Sequence, residues 1–146
     1  MPTQCFKPLL ASLLCATLAT AAHAEDWLVI SGGSYHFERR DEFRSDNFGV
    51  GWERPDPEIP LVYAVGYYRN SYDRDTFYAG VRWEPLRWDY ASLGIFAAVA
   101  SGYWTPVVAL PMLSLHYERV GINFVAAPTI RDYVGYIGAQ VKIRFD

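Results

Sequence analysis

Along most of this chain, bulky apolar residues alternate with small or polar ones at a period of two. In the last run, Ile137, Ala139, Val141, Ile143 and Phe145 share one face, and Tyr136, Gly138, Gln140, Lys142 and Arg144 share the other. The stretch YAVGYYRNSYDRDTFYAGVRWEP, Tyr63 to Pro85, reads as two such runs joined by a polar loop. Its second half sets Phe77, Ala79, Val81 and Trp83 against Tyr78, Gly80, Arg82 and Glu84. A two-residue period with unlike faces is the signature of a β-strand. Eight runs carry it: Trp27–Phe37, Asn47–Arg54, Leu61–Asn70, Thr76–Glu84, Tyr90–Tyr103, Val107–Glu118, Gly121–Ala127 and Tyr133–Phe145. Breakers such as PDPEIP (Pro55–Pro60) and APTIRD (Ala127–Asp132) separate several of them. Little of the chain reads as helix, so the pattern predicts an all-β protein.

Alternation alone leaves open which face is inside. A soluble sheet turns its apolar face inward, whereas a membrane barrel turns it outward to lipid. Many runs approach the roughly nine to eleven residues that a tilted spanning strand requires. After Lys7 comes PLLASLLCATLATAAHA, closing on Ala22-His23-Ala24. This reads as a secretory signal peptide over residues 1–24 with an A-x-A cleavage site. Removing those 24 residues from 146 leaves one domain of 122, residues 25–146. Both cysteines, Cys5 and Cys15, leave with the signal, which excludes a disulfide framework and thiolate chemistry in the mature chain. No later apolar stretch approaches the twenty residues of a spanning helix, and aromatics reach 16% of the chain. The expected fold is an eight-stranded antiparallel transmembrane β-barrel of the outer membrane. A soluble periplasmic lipid-binding barrel is the alternative.

In an even-stranded barrel of this kind the termini and short turns lie on the periplasmic side, with the longer loops outside. The first and third runs then end together on the outer rim, bringing His36 beside Asn70 and Ser71. In the fifth run Leu93, Ile95, Ala97 and Val99 alternate with Ser92, Gly94, Phe96, Ala98 and Ala100. The smaller set, turned inward, predicts room inside the upper barrel. Arg82, Glu84, His116, Glu118, Lys142 and Arg144 are expected to pair lower down.

Charge and motifs narrow the chemistry. The mature chain loses one of 13 basic residues, Lys7, leaving 12 against 16 acidic, net −4, which argues against nucleic acid as a partner. There is no phosphate-cradling glycine loop and no metal-ligand spacing, and no cofactor is implied. His36 and His116 are the remaining histidines. His116, beside Glu118, reads as a hydrogen-bonded interior group. His36 alone reads as a surface histidine, but Ser71 on the same rim makes a proton-sharing pair that can activate a hydroxyl. Asn70 then positions a ring nitrogen or donates to a developing oxyanion; Ser34 is a competing partner for His36. Arg39, Arg40, Arg44, Arg69, Arg74 and Arg131 form either a solvated rim or a grip on lipopolysaccharide phosphates. Pro111 within the sixth run and Pro128 after the seventh cannot donate to a ladder. They predict a local gap between those strands, wide enough to pass a lipid tail sideways.

SYHF at 34–37, NFGVGWE at 47–53, Tyr63–Pro85, LPMLSLHY at 110–117 and the terminal VKIRF resemble, in order, the PagP family of lipid A palmitoyltransferases. The resemblance implies a barrel in the Gram-negative outer membrane, acting as a monomer with its active site facing the cell exterior. It implies transfer of a palmitoyl or similar chain from a glycerophospholipid to lipid A. His36 matches the family's essential histidine and Ser71 its essential serine. Pro111 and Pro128 match the prolines that frame lateral phospholipid access. Asn70 stands where the better-known members carry aspartate, Arg82 stands where a glycine floors their acyl pocket, and their N-terminal amphipathic helix has no counterpart. Two other readings remain: a lipid A deacylase, which also uses an eight-stranded barrel with histidine and serine, and a non-enzymatic structural or adhesion barrel.

Overall fold

The computed structural model describes residues 25–145; the segment read as a signal peptide, with Cys5 and Cys15, lies outside the described residues. Eight strands follow one another: β1 (Asp26–His36), β2 (Asp46–Pro55), β3 (Leu61–Arg69), β4 (Asp75–Trp88), β5 (Ala91–Ala100), β6 (Val107–Tyr117), β7 (Val120–Ala127) and β8 (Tyr136–Phe145). Each pairs antiparallel with the next. The ladder from Asp26↔Phe145 to His36↔Tyr136 joins β1 to β8 and closes the barrel. Closure removes the unpaired edges that a bilayer would not tolerate.

Three strand ends differ from the sequence expectation by more than one residue. β5 stops at Ala100, because Ser101 and Gly102 turn the chain, with Gly102 at φ 79°. β8 begins at Tyr136, since Gly135 N–H is held by the Thr129 hydroxyl in the preceding loop. β4 continues past Glu84 to Trp88 by way of a register shift between Trp83 and Leu86. Pro85 sits in that shift, where a missing N–H costs no ladder bond. Across the seam a Cβ on Gly94 would collide with the Trp83 carbonyl oxygen, so glycine is required there.

The face question is settled by exposure. Val65, Val81, Ile95, Val99 and Val141 point outward and are exposed, whereas Arg82, Glu84, Glu53, Asn123 and Lys142 are buried inside. Aromatic belts flank the aliphatic band. Tyr63, Trp83, Trp88, Tyr90 and Tyr117 lie toward the short-turn end, and Tyr35, Phe37, Phe48, Phe77 and Trp104 toward the other. In water such a continuous apolar surface would drive association; against hydrocarbon, with aromatics at both interfaces, it is the matched surface. No helix among the described residues is long and apolar enough to cross a membrane. The chain is a closed eight-stranded transmembrane β-barrel.

The interior has two layers. The lower is an ion cluster centred on Glu53, whose carboxylate accepts from Arg82 Nη1 (2.7 Å) and Nη2 (3.2 Å) and from Asn123 Nδ2 (2.9 Å). Lys142 lies 3.7 Å from it and donates to Ser114 Oγ. Arg82 Nε reaches Glu84 at 2.7 Å, and Ser92 donates to the same carboxylate. Pairing in the lower barrel, expected for Arg82, Glu84, Lys142 and Arg144, is found for all four, but two other assignments need correction. Arg144 meets Glu25, whereas Glu118 is exposed in the turn before β7 and His116 packs edge-on to Trp27.

Above this cluster the lumen is filled rather than roomy. Tyr68 and Tyr103 share a 2.6 Å hydrogen bond, Tyr78 packs against Tyr68 and Phe96, and Tyr136 lies beside His36. The small residues of β5 do face inward as predicted, with Ala98 and Ala100 buried. The space they leave is taken by the rings of Tyr68 on β3, Tyr78 on β4 and Tyr103 in the loop after β5. The Tyr78 hydroxyl reaches the backbones of Gly51 and Gly66, so near that a Cβ on Gly51 would stand 2.5 Å from it.

Candidate active site at the loop end

The longer connections, residues 37–45, 70–74, 101–106 and 128–135, share one end of the barrel; the turns 56–60, 89–90 and 118–119 lie at the other. His36, closing β1, and Asn70 and Ser71, following β3, therefore meet at the loop end.

A bulge aims His36. In the lower half of β1, Trp27, Val29 and Ser31 face inward. Continued alternation would turn Gly33 and Tyr35 inward and His36 to lipid. Instead the register slips between Ser31, opposite Gln140, and Gly33, opposite Ala139, leaving Gly32 as the extra residue. Above the slip, Ser34 faces the lumen opposite Gly138 and His36 opposite Tyr136, while Tyr35 is exposed. The Gly32–Gly33 pair, legible in the sequence only as strand glycines, is what changes the parity.

His36 is 4% exposed, and its Nδ1 is buried with no hydrogen-bond partner among the described residues. Phe43, from the first loop, stacks on the imidazole at 4.6 Å with the rings within 10° of parallel. The same phenyl ring meets Tyr72 edge-on at 5.7 Å. Ser71 precedes Tyr72, and its carbonyl accepts from Arg44 N–H at 3.0 Å, so the first and second loops are tied together directly beside Phe43. Among the described residues no hydrogen bond joins His36 to Ser71. The imidazole and the serine loop are instead linked through the Phe43 ring. Ser34, the competing partner, donates to Asn47 Oδ1, and Asn47 Nδ2 in turn donates to the Arg69 carbonyl. Ser34 is thus committed to the wall.

Asn70 is fully buried and fully used. Its Oδ1 accepts from the N–H groups of Tyr72 and Arg74, while its Nδ2 donates to Thr76 Oγ1 and the Gly102 carbonyl. These four bonds exhaust an amide side chain, so Asn70 shapes the turn that carries Ser71 and has no donor left for an oxyanion. An aspartate could accept from the two N–H groups but would set a carboxylate against the Gly102 oxygen. That is a physical reason for asparagine at this position.

Asp73 secures the turn from outside. It accepts from Arg69 Nε at 3.0 Å and Arg44 Nη1 at 2.8 Å. Its hydrogen bond from Arg69, reinforced by that from Arg44, holds its carboxyl below the usual carboxylate range. Among the predicted rim arginines, Arg39 pairs with Glu42, and Arg40 donates to the His36 carbonyl and lies over the Tyr35 ring.

The two prolines mark the β6–β7 seam. This ladder runs only from Met112↔Val125 to Tyr117↔Val120, although β6 begins at Val107 and β7 ends at Ala127. Pairing stops at the residue after Pro111, which has no N–H to offer, and Pro128 ends β7 on the other side of the opening. A cavity of about 280 Å³ lies there, lined by Pro111, Met112, Phe124, Val125 and Ile137 among others, all apolar. Among the described residues no cluster of three or more His, Cys, Asp or Glu side chains is placed to hold a metal ion.

No protein-family model and no curated protein matches this chain. Among solved structures it is similar to a de novo designed protein, TMB2.3, determined by solution NMR. The identity is 9% and the TM-score 0.57, over 86% of this chain and 98% of that one. This likeness is one of fold. The chain is also similar to the Yersinia pestis outer membrane protein Ail, determined in a phospholipid bilayer nanodisc. There the identity is 13% and the TM-score 0.45, over 84% of this chain and 100% of that one. Sequence reasoning missed Glu53, whose signal was its place on the small inward face after Gly49 and Gly51. It also missed Phe43, a lone aromatic in a charged loop with no periodic pattern to flag it.

Proposed function

We propose that this chain is an outer-membrane acyltransferase that moves a palmitoyl or similar chain from a glycerophospholipid to lipid A. The observation that carries this reading is His36, a buried imidazole at the rim whose Nδ1 lacks a partner among the described residues, in a wall whose other polar groups are largely paired. Such an atom calls for an occupant, and a hydroxyl or an ester fits. In the proposed reaction His36 takes the proton from a hydroxyl, either that of Ser71 or that of the acceptor sugar. The freed oxygen attacks the donor's ester carbon. The ester C–O bond breaks, and the lysophospholipid alkoxide leaves with the proton held by His36. Where Ser71 forms an acyl-enzyme, a second, identical exchange passes the acyl group to the sugar. The apolar opening beside Pro111 supports sideways passage of the donor tail from the outer leaflet. Phe43 must swing off the imidazole for His36 to meet Ser71, and Asn70 serves as a positioning residue.

One observation favours a second reading, a barrel without enzymatic activity: the tyrosine rings occupy the upper lumen where a deeply inserted acyl tail would lie. Lipid A mass spectrometry of Gram-negative cells expressing the wild type, His36→Ala and Ser71→Ala separates the possibilities. Acyl transfer predicts a wild-type gain of one acyl mass that falls at least about a hundredfold in His36→Ala, the lower bound for a general base. A loss of one acyl chain would mean a deacylase, and an unchanged spectrum a non-enzymatic barrel.

A further inference from the structure

The opening between β6 and β7 is a slot with two walls and two ends. Each wall stays paired to its outer neighbour up to the rim, β6 to β5 as far as Val107 and β7 to β8 as far as Ala127. The facing edges, Val107 to Pro111 and Ala126 to Ala127, have no ladder between them. The lower end of the slot is the Met112↔Val125 pair. Its upper end is a contact between the two loops that flank it. The hydroxyls of Thr105, in the third loop (101–106), and Tyr133, in the fourth (128–135), share a 3.2 Å hydrogen bond. Among the described residues no other hydrogen bond joins these two loops. Each loop is braced on its own side. Ala100 N–H donates to the Pro106 carbonyl across the base of the third loop, and Ile130 and Tyr133 exchange two backbone bonds in the fourth. One bond between exposed hydroxyls therefore bridges a slot whose walls are firm.

We propose that the Thr105–Tyr133 hydrogen bond is a latch: it closes the slot to intact phospholipids, and its opening governs their entry. The inference rests on the sideways passage of a donor proposed above and adds what controls it. Closed at both ends, the slot is a window in the wall. A bare alkyl chain fits such a window, because the cavity at its level is apolar throughout. A chain esterified to a headgroup does not pass in the same way. The headgroup stays above the hydrocarbon, and the bond between the loops crosses its path. Entry of the whole molecule therefore requires the upper end to part. The cost of parting is small. Breaking a hydrogen bond between exposed neutral hydroxyls returns both to water, so neither is left buried and unpaired. No ladder bond is lost, since none spans the slot above Met112. Local opening of this kind belongs to the least stable parts of a fold.

The sequence supplies a probe. Met1 and Met112 are the chain's methionines, Met1 lies in the segment read as a signal peptide, and Met112 is buried at the lower end of the slot. The protein is purified from outer membranes of Gram-negative cells grown on methyl-labelled methionine, and Met112→Leu assigns the resonance. In nanodiscs of phosphatidylcholine carrying a nitroxide on its acyl chain, the broadening of the Met112 methyl reports chains in the slot. Tyr133→Phe and Thr105→Val each remove one hydroxyl and keep the shape. Each should raise the broadening about two- to tenfold, the range for one such hydrogen bond, and the double variant should match the singles. Tyr63→Phe, which removes a hydroxyl bonded to Asp56 at the short-turn end, should leave it at the wild-type value. Thr105→Cys with Tyr133→Cys, bridged by a short reducible cross-linker, should fall below wild type and recover on reduction. Wild-type broadening in both single variants, multiplied effects in the double, or no fall on cross-linking would overturn the latch. The readout needs no catalysis, so the two readings fail separately. Latch variants that still raise the broadening beside an unchanged lipid A spectrum would support the latch and refute acyl transfer.

Discussion

Removing Glu53 should cost this barrel several times more than an ordinary interior substitution. Its carboxylate takes two bonds from Arg82 and one from Asn123, with Lys142 close by. The buried layer balances two carboxylates, Glu53 and Glu84, against two cations, Arg82 and Lys142. Glu53→Ala leaves two cations facing one carboxylate in a wall surrounded by hydrocarbon. The cost is then not the lost bonds alone but an uncompensated charge, about 3–5 kcal/mol. Glu53→Gln keeps the shape and one acceptor oxygen, so its smaller penalty, about 2 kcal/mol or more, isolates the charge. The pair Glu53→Leu with Arg82→Met removes one charge of each sign and should cost less than the sum of the singles by about 1–3 kcal/mol. Urea-dependent unfolding from phospholipid vesicles, followed by tryptophan fluorescence, measures each value. Costs below about 1 kcal/mol for both Glu53→Ala and Glu53→Gln would refute the reasoning, because they would mean that water already solvates the layer.

Three further outcomes follow from the packing. Gly51→Ala should destabilise by about 1–3 kcal/mol through collision with the Tyr78 hydroxyl, and Tyr78→Phe in that background should recover part of the loss in the same assay. Deleting Gly32 should restore uninterrupted alternation in β1 and turn His36 toward lipid. NMR contacts between its ring and acyl chains would report this, and retained contact with Phe43 would refute it. Asp73, whose carboxyl is held below its ordinary range by Arg69 and Arg44, should keep the Ser71 turn clamped above its unfolded value of about 4 and release it as pH falls through the lower folded value. Side-chain resonances of Arg44 and Arg69 that move already near neutral pH would contradict that direction.

How much was legible in the sequence depended on the range of the signal. Strand existence, number and the outward apolar face were readable because alternation is local and repeats in every strand. The β6–β7 gap was readable because a proline's missing N–H is a property of Pro111 alone. The parity of β1 was not, since a bulge shows only as Gly32-Gly33 and its effect depends on pairing with β8 more than a hundred residues away. The filled lumen was also hidden. Ala98 and Ala100 announce space, but whether it stays empty depends on Tyr68 and Tyr78 arriving from β3 and β4 and on Tyr103 folding in from the loop after β5. Asn70 was singled out for its chemistry, yet its burial and four bonds give it a structural task that sequence position could not reveal.

The layering also bears on where chemistry can occur. Below, the ion cluster closes the lumen; in the middle, tyrosines close it again; neither layer opens without giving up buried hydrogen bonds or ring contacts. The rim differs. Phe43 is held over His36 by ring contacts, by its own N–H to the Arg40 carbonyl within the loop, and by the backbone bond from Arg44 to Ser71, and the Arg44 side chain rests on the Asp46 carbonyl and on exposed ion pairs of the kind worth about 1 kcal/mol or less each. Segments that move in function come from the least stable part of a fold, and here that part is the first loop. The β6–β7 ladder also stops short at the loop end, above Met112↔Val125. A barrel so arranged keeps its rigidity in the lower two layers and leaves the His36 imidazole under a cover that small forces can lift.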